Sequence, residues 1–143
     1  PALFNCIEGS TDSELMFYLA LTLGLEADPV GAMERMTGLI EKVAREHGVN
    51  EAIWMTLGFS DGQRLYAVRY ASDGDAPTLY HSRDIADVYR LNPNLQAGLS
   101  ASTRMVVSEP LAEVAQAWVP VPQSTAVVVQ GEEVVLRPFR PAA

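Results

Sequence analysis

Apolar positions follow one pattern in the first third of the chain and a different pattern in the remainder. Between Leu15 and Gly24, only Thr22 is not apolar. Thr11 as N-cap and Glu14 three positions later form a capping box, which predicts a helix that begins there and runs to Gly24. A helix that is apolar on every side needs cover on more than one side. We therefore expect this helix to contact a partner or a polypeptide segment that this chain lacks.

A second helix is predicted between two clear boundary signals. Asp28 is a favourable N-cap, Pro29 suits the first helical position, and Gly48 suits the residue just past the end. Apolar residues recur in steps of three or four, with charged residues at the other positions. The apolar set is Val30, Met33, Met36, Leu39, Ile40 and Val43. The pattern predicts an amphipathic helix in which this set forms one buried stripe.

Two hairpins are predicted in the remainder of the chain. The apolar runs 52–59 and 65–71 flank Ser60, Asp61 and Gly62, which are residues typical of a turn. The runs 125–129 and 134–136 flank a second turn around Gly131. Each pair of runs is therefore expected to form two antiparallel strands.

The segments between these hairpins give weaker signals. Short strands are predicted at 78–81 and 103–107, whereas 84–99 has little periodicity and is predicted to be an irregular connection. Helices followed by strands predict an α+β fold with largely antiparallel sheets. No repeat or linker separates a second domain, so residues 1–143 are interpreted as a single domain or a large part of one.

The net charge and the cysteine content disfavour several classes of protein function. The 18 acidic and 10 basic residues give a formal net charge of −8, which opposes binding to nucleic acid and to anionic membranes. No apolar run approaches the roughly 20 residues that span a bilayer. The single cysteine, Cys6, excludes an intrachain disulfide framework and fits a reducing compartment, so we expect a cytoplasmic protein.

Metal and cofactor chemistry finds little support in the sequence. His47, His81 and Cys6 do not stand at metal-ligand spacing from one another, and no glycine-rich phosphate loop is present. We therefore expect neither a metal site nor a cofactor. His47 is expected at a helix C-terminus, where a donor near the last carbonyl groups is favourable. The apolar neighbours of Cys6 predict a buried, inert side chain.

Asp12 stands at the predicted start of the first helix, where two interpretations compete. A carboxylate in the first turn complements the helix dipole and contributes about 0.3 to 1 kcal/mol. A carboxylate at this place is also suited to bind the α-ammonium group of an amino acid. Position alone favours the structural interpretation.

Five short motifs follow one another along nearly the whole chain. They are Thr11–Glu14 with the apolar helix, the Ser60–Gly62 turn, Arg69 with Tyr70, Ser108–Leu111, and Trp118 with Pro120. Their succession resembles class II glutamine amidotransferases, which are N-terminal nucleophile hydrolases, and in particular the single-domain branch that includes ergothioneine-pathway amidohydrolases. The resemblance implies a partial four-layer αββα sandwich.

The resemblance also implies a chemistry that this chain carries only in part. Such enzymes use an N-terminal cysteine nucleophile, an Asn-Gly pair for oxyanion stabilisation, and an arginine and an aspartate that hold the substrate. Only the aspartate has a counterpart, Asp12, with Thr11 helping to shape the substrate pocket. Cys6 is preceded by five residues and does not match the nucleophile. No catalytic residue is therefore assigned.

These observations predict that the chain is the C-terminal portion of a glutamine amidotransferase-like domain. Its expected partners are the N-terminal half of that domain and a small-molecule substrate, glutamine or a γ-glutamyl amide. The chain alone is expected to be inactive, and a homo-oligomer is compatible with the sequence.

Two alternatives stay open. One is a non-catalytic interaction or regulatory module on the same scaffold, because a fold does not fix a function. The other is a tautomerase that uses Pro1 as a catalytic amine, which predicts activity from this chain alone. Asn5, Gly9 and Ser10 soon interrupt the strand that such a proline normally opens, and this disfavours the second alternative.

Overall fold

The computed structural model describes residues 2–91, 100, 102–110 and 117–142. The chain forms two compact units, one of Pro1–Ile53 with Phe139–Ala143 and the other of Trp54–Pro138. Pro1 and Leu111, which entered the sequence predictions, lie outside the described residues, as does the 92–99 part of the predicted irregular connection.

The first unit contains two α-helices that begin and end where local signals place them. A 3-10 helix covers Ala2–Cys6, α1 covers Asp12–Thr22 and α2 covers Pro29–Glu46. Asp28 caps α2 by accepting a hydrogen bond from Gly31 N at 3.2 Å, with Pro29 in the first turn. Both helix predictions are confirmed, and Gly48 just past α2 has the positive φ of 79° that favours glycine at this position.

The buried face of α2 differs from the predicted stripe. Met33 and Met36 are buried as expected, but Leu39 and Val43 are 36% and 47% exposed. The buried residues of this helix are Ala32, Met33, Met36, Thr37, Gly38 and Glu41. The difference arises because the segment Phe139–Ala142 lies along α2, with Arg140 N donating a hydrogen bond to Glu34 Oε1 at 2.6 Å. Periodicity within the helix carries no information about this distant segment.

Gly38 permits the closest approach between α2 and the C-terminal segment. A methyl group at this position would lie 2.5 Å from the backbone carbonyl carbon of Ala142. We expect Gly38→Ala to lower the free energy of unfolding, because an overpacking cost of about 1 to 3 kcal/mol exceeds the roughly 1 kcal/mol gained in helix propensity. Urea denaturation of the purified chain measures the difference.

A chain shortened at its C-terminus provides the control for Gly38→Ala, because it lacks Ala142. In a chain that lacks residues 141–143, Gly38→Ala is expected to raise the free energy of unfolding by about 1 kcal/mol, since only the helix-propensity gain remains. A stabilising effect in both backgrounds would contradict the close approach of Ala142.

In its described residues, the second unit consists of two antiparallel sheets and one helix. The strands are β1 (Trp54–Ser60), β2 (Leu65–Ala71), β3 (Tyr80–Ser82), β4 (Val106–Val107), β5 (Trp118–Pro120), β6 (Thr125–Gln130) and β7 (Glu133–Pro138). One sheet has the strand order β1-β2-β6-β7 and the other has the order β4-β3-β5. All pairings among these strands are antiparallel. The predicted α+β class with largely antiparallel sheets is confirmed.

Both predicted hairpins are present, and the elements between them differ from expectation. A helix, α3 (Ile85–Leu91), replaces the first half of the predicted irregular connection. It forms because Asp84 Oδ1 accepts a hydrogen bond from Ala86 N at 2.9 Å and because Ile85, 1% exposed, enters the core. The predicted strand at 103–107 is shorter, comprising Val106–Val107, and β5 was not predicted at all.

The second unit buries two clusters of apolar side chains. One joins strands of the larger sheet to the segments before β3 and after β5, and contains Ala67, Leu79, Val121, Val127 and Val129. The other contains Ile85, Ala117 and Trp118, with Tyr80, Tyr89, Met105 and Val107 packed against it. The strands of both sheets are therefore held by apolar packing as well as by their backbone hydrogen bonds.

Candidate substrate-binding site

Thr11 fixes the point at which α1 begins. Its backbone is extended, with φ −85° and ψ 144°, and its hydroxyl oxygen accepts a hydrogen bond from Glu14 N at 3.3 Å. The Ser13 hydroxyl lies 3.3 Å from the same oxygen and donates to it. This N-cap arrangement is the one that the sequence predicts.

The Glu14 carboxylate does not make the hydrogen bond to the N-cap backbone that a capping box implies. It accepts hydrogen bonds from Glu8 N at 3.0 Å and from Gly9 N at 2.8 Å, instead of from Thr11 N. A methyl group at Gly9 would lie 2.4 Å from Glu14 Oε2, so glycine allows this close approach. The carboxylate thereby ties the segment before α1 to the first turn of the helix.

Asp12 presents an exposed carboxylate at the first residue of α1. Its Oδ1 accepts a hydrogen bond from Ser13 N at 2.7 Å, and Oδ2 has no hydrogen-bond partner among the described residues. The positive end of the helix dipole stabilises the negative charge here. One oxygen is thus held by the backbone, and the other is available to a donor such as an ammonium group. The structure places Asp12 and Thr11 side by side, as their sequence positions require.

The Ser60–Gly62 motif forms the turn between β1 and β2. Asp61 Oδ1 accepts hydrogen bonds from Arg64 N at 2.7 Å and Gln63 N at 2.8 Å, and Oδ2 accepts one from the Tyr66 hydroxyl at 3.0 Å. These donors, with Arg64 N contributing most, hold the pKa of Asp61 below its ordinary value. Gly62 has a positive φ of 85°. All these interactions stabilise the turn.

Arg69 joins β2 to two neighbouring segments. Its guanidinium group donates hydrogen bonds to Val121 O at 2.6 Å, Pro77 O at 2.8 Å and Ala76 O at 3.1 Å. The five nitrogen-bound hydrogens of a guanidinium suit such a fan of carbonyl acceptors. Arg69 is therefore a structural residue of this unit.

The structure also shows the positions of Cys6 and His47, which the sequence singled out. Cys6 is exposed, so the prediction of a buried cysteine is wrong. The short 3-10 helix turns only one side inward, with Leu3 and then Ile7 half-buried, and Cys6 lies on the other side. His47 is the C-cap of α2, with Nδ1 2.8 Å from Val43 O, which confirms its predicted place.

Within the described residues, no group of three or more His, Cys, Asp or Glu side chains lies close enough to bind a metal ion. None of the helices in the described part of the chain is both long and apolar enough to cross a bilayer.

Comparison with solved structures shows what the fold resembles. The chain aligns over 99% of its length, with 35% sequence identity and a TM-score of 0.81, to a glutamine aminotransferase class-II domain protein from Silicibacter pomeroyi. The chain is therefore similar in fold to a class-II glutamine amidotransferase-like domain. It spans about 57% of the length of the Silicibacter pomeroyi protein. Neither a protein-family profile nor a curated protein sequence matches the chain.

This similarity to a class-II glutamine amidotransferase-like domain extends beyond the motifs quoted from the sequence. Turn, strand and core positions make up most of those motifs, as the contacts of Asp61 and Arg69 show. Asp12 differs from Asp61 and Arg69 because one of its carboxylate oxygens is not used within the described chain. Asp12 is thus a candidate for contact with a substrate.

Proposed function

We propose that this chain is part of an enzyme that hydrolyses glutamine or a γ-glutamyl amide. The observation that supports the proposal is the similarity over 99% of the chain, at 35% identity, to a protein described as a glutamine aminotransferase class-II domain protein. The cysteine nucleophile comes from a polypeptide segment that this chain does not contain. Shared fold alone does not determine activity, so the proposal rests also on the position of Asp12.

The reaction assigned to the complete site is attack of the cysteine thiolate on the side-chain amide carbon. The carbon–nitrogen bond breaks, ammonia leaves with a proton from the cysteine's own amino group, and a thioester remains. Water then hydrolyses the thioester to release the free γ-carboxylic acid. Nothing in these two steps requires a metal or a cofactor.

Asp12 and Thr11 hold the substrate in this proposal. The unused Oδ2 of Asp12 accepts a hydrogen bond from the α-ammonium group of the substrate, while the bond between Oδ1 and Ser13 N fixes the orientation of the carboxylate. Thr11 shapes the adjacent wall, since its hydroxyl is held by Ser13 and Glu14. The site would thereby select amides that carry a free α-amino group.

Asp12→Asn provides a direct test of this role. The chain is co-expressed with the complementary segment, which we define as the part of the Silicibacter pomeroyi protein without a counterpart here, and ammonia release from glutamine is measured. The asparagine keeps the acceptor for Ser13 N and removes the charge. A charge-assisted hydrogen bond contributes about 1.5 to 3 kcal/mol, so we expect KM to rise about 10- to 150-fold.

Two controls separate substrate recognition from an effect on the helix. Asp28→Asn removes the carboxylate at the start of α2 and is expected to leave KM for glutamine unchanged. Glutaramate, which is glutamine without its α-amino group, should be hydrolysed poorly and equally by wild type and Asp12→Asn. Equal losses on glutamine and glutaramate would show that Asp12 does not recognise the ammonium group.

The non-catalytic module is the second candidate function. It is favoured by one observation, namely that Asp12 alone among the expected catalytic and substrate-binding residues has a counterpart in this sequence. Intact mass and N-terminal sequencing of the natural gene product distinguish the two. A product that begins with cysteine and continues into this chain supports the enzyme, whereas a product that begins at Pro1 supports the module.

A further inference from the structure

Residues 7–11 connect the 3-10 helix to α1 and lead directly to Asp12. This connection has no regular secondary structure, so its path depends on other contacts. The start of α1 is also weakly held by the helix itself, because the first N–H groups of a helix have no partner within it. A contact that fixes both the connection and the first turn therefore determines where the Asp12 carboxylate lies.

The Glu14 carboxylate makes such a contact with both of its oxygens. Glu8 N donates a hydrogen bond to Oε1 at 3.0 Å, and Gly9 N donates one to Oε2 at 2.8 Å. Hydrogen bonds to a charged acceptor are stronger than those between neutral groups. We refer to these two hydrogen bonds as the Glu14 clamp. Because Glu14 N also donates to Thr11 Oγ1 at 3.3 Å, one residue holds the connection near both of its ends.

Asp12 lies inside the loop that the Glu14 clamp closes. Its neighbours Thr11 and Ser13 belong to the same network, since the Ser13 hydroxyl donates to Thr11 Oγ1 at 3.3 Å. Ser13 N donates to Asp12 Oδ1 at 2.7 Å. The Asp12 side chain is exposed, so packing contributes little to its orientation. Its direction therefore follows from the backbone path that the clamp holds.

We propose that Glu14 is a positioning residue for the substrate site, an inference that rests on the function proposed above. Glu14 does not touch the substrate. It acts through Asp12, because the clamp holds the backbone path that directs the unused Oδ2 towards the α-ammonium group of the substrate. Since the connection is ordered before the substrate arrives, binding does not bear the entropic cost of ordering it.

Gly9 is the second residue on which the clamp depends. A Cβ atom at this position would lie 2.4 Å from Glu14 Oε2 and 3.5 Å from Glu14 Cδ. Gly9→Ala therefore displaces the carboxylate without removing its charge. The φ of Gly9 is not positive, so alanine introduces no left-handed strain. In a chain that already carries Glu14→Ala, Gly9→Ala is expected to have no effect on substrate binding, because both atoms that it would meet are gone.

The kinetics of the reconstituted enzyme test the positioning role. The chain and its variants are co-expressed with the complementary segment, and KM and kcat for glutamine are measured. Glu14→Gln keeps one acceptor oxygen and is expected to raise KM about 3- to 10-fold, and Glu14→Ala at least about 10-fold, with kcat unchanged within about twofold. Gly9→Ala is expected to raise KM as Glu14→Gln does. Circular dichroism spectra of the variants show whether α1 still folds.

Glu26→Gln is the matched control for Glu14→Gln. It removes an exposed carboxylate beyond the end of α1 and is expected to leave KM for glutamine unchanged.

A double-mutant cycle distinguishes positioning of Asp12 from general stabilisation of the helix. If Glu14 acts through Asp12, the variant with both Asp12→Asn and Glu14→Gln has the KM of Asp12→Asn alone, within about twofold. Glutaramate lacks the α-ammonium group, so Glu14→Gln and Gly9→Ala are expected to leave its kcat/KM unchanged. A residue that only stabilised α1 would instead lower kcat/KM for glutamine and glutaramate alike.

Amide hydrogen exchange in the purified chain measures the clamp without any activity. The amide protons of Glu8 and Gly9 are expected to exchange at least about fivefold faster in Glu14→Ala than in the wild type, because their acceptor is gone. Unaltered exchange at both positions would overturn the clamp itself.

The kinetic outcomes separate this inference from the proposed function. The positioning role is overturned if Glu14→Ala leaves KM for glutamine unchanged, if the effects of Asp12→Asn and Glu14→Gln multiply in the double variant, or if glutaramate hydrolysis falls equally. In each of these cases the wild-type pair still hydrolyses glutamine. A wild-type pair that hydrolyses no γ-glutamyl amide, although its Glu8 and Gly9 amides are protected, would overturn the proposed function and the positioning role with it.

Discussion

Phe139→Ala is expected to lower the free energy of unfolding by about 3 to 5 kcal/mol, the usual cost of removing a buried phenylalanine side chain. Phe139 is 2% exposed and is the largest fully buried side chain among the described residues. It belongs to the unit that contains α1 and α2, although it follows β7 in sequence. The effect is measured by urea denaturation followed through the helical circular dichroism signal.

Phe17→Ala is the matched control for Phe139→Ala, because the same atoms are removed from a side chain that is 47% exposed. Its expected cost is below about 1 kcal/mol, since exposed positions leave no cavity and alanine favours the helix. Similar losses for the two variants would contradict the burial of Phe139.

Arg69→Met is expected to destabilise the chain by about 1.5 to 3 kcal/mol. The substitution leaves Val121 O without its guanidinium donor, and a hydrogen bond to a charged group contributes about 1.5 to 3 kcal/mol. The other two acceptors keep a second donor, since Pro77 O lies 3.3 Å from Thr56 Oγ1 and Ala76 O lies 3.4 Å from Gln123 Nε2. Arg69→Lys keeps the charge but lacks the planar fork, so an intermediate loss is expected.

Arg137→Met controls for the loss of a positive charge. Arg137 is exposed on the edge strand β7, and its substitution is expected to change the free energy of unfolding by no more than about 0.5 kcal/mol. If Arg69→Lys were as stable as the wild type, the charge of Arg69 and not its hydrogen-bond geometry would hold the neighbouring segments.

The elements that the sequence predicted correctly depend on local contacts. Thr11 and Asp28 cap helices through hydrogen bonds that reach three residues, and the β1–β2 hairpin closes across adjacent turn residues. The elements that were missed depend on distant partners. β5 comprises three residues whose pairing is with β3, and the buried face of α2 is set by residues more than one hundred positions later.

In the candidate site, too, only the features that depend on neighbouring residues could be predicted from the sequence. The position of Asp12 at the first residue of a helix follows from its neighbours, and the structure shows it there. Its unused oxygen depends on the hydrogen bond from Ser13 N to the other oxygen, which composition does not reveal. The exposure of Cys6 was missed because apolar neighbours do not determine which side of a short helix faces inward.

The contact between α2 and the C-terminal segment also sets an order of events during synthesis. Phe139–Ala142 complete a unit whose other residues, up to Ile53, are made first, and the residues of both sheets are made in between. Most of the chain must therefore be synthesised before Arg140 N can donate its hydrogen bond to Glu34 and before Phe139 can be buried. Until then, the face of α2 around Gly38 lacks part of its final cover, and it stays in that state while the chain is on the ribosome.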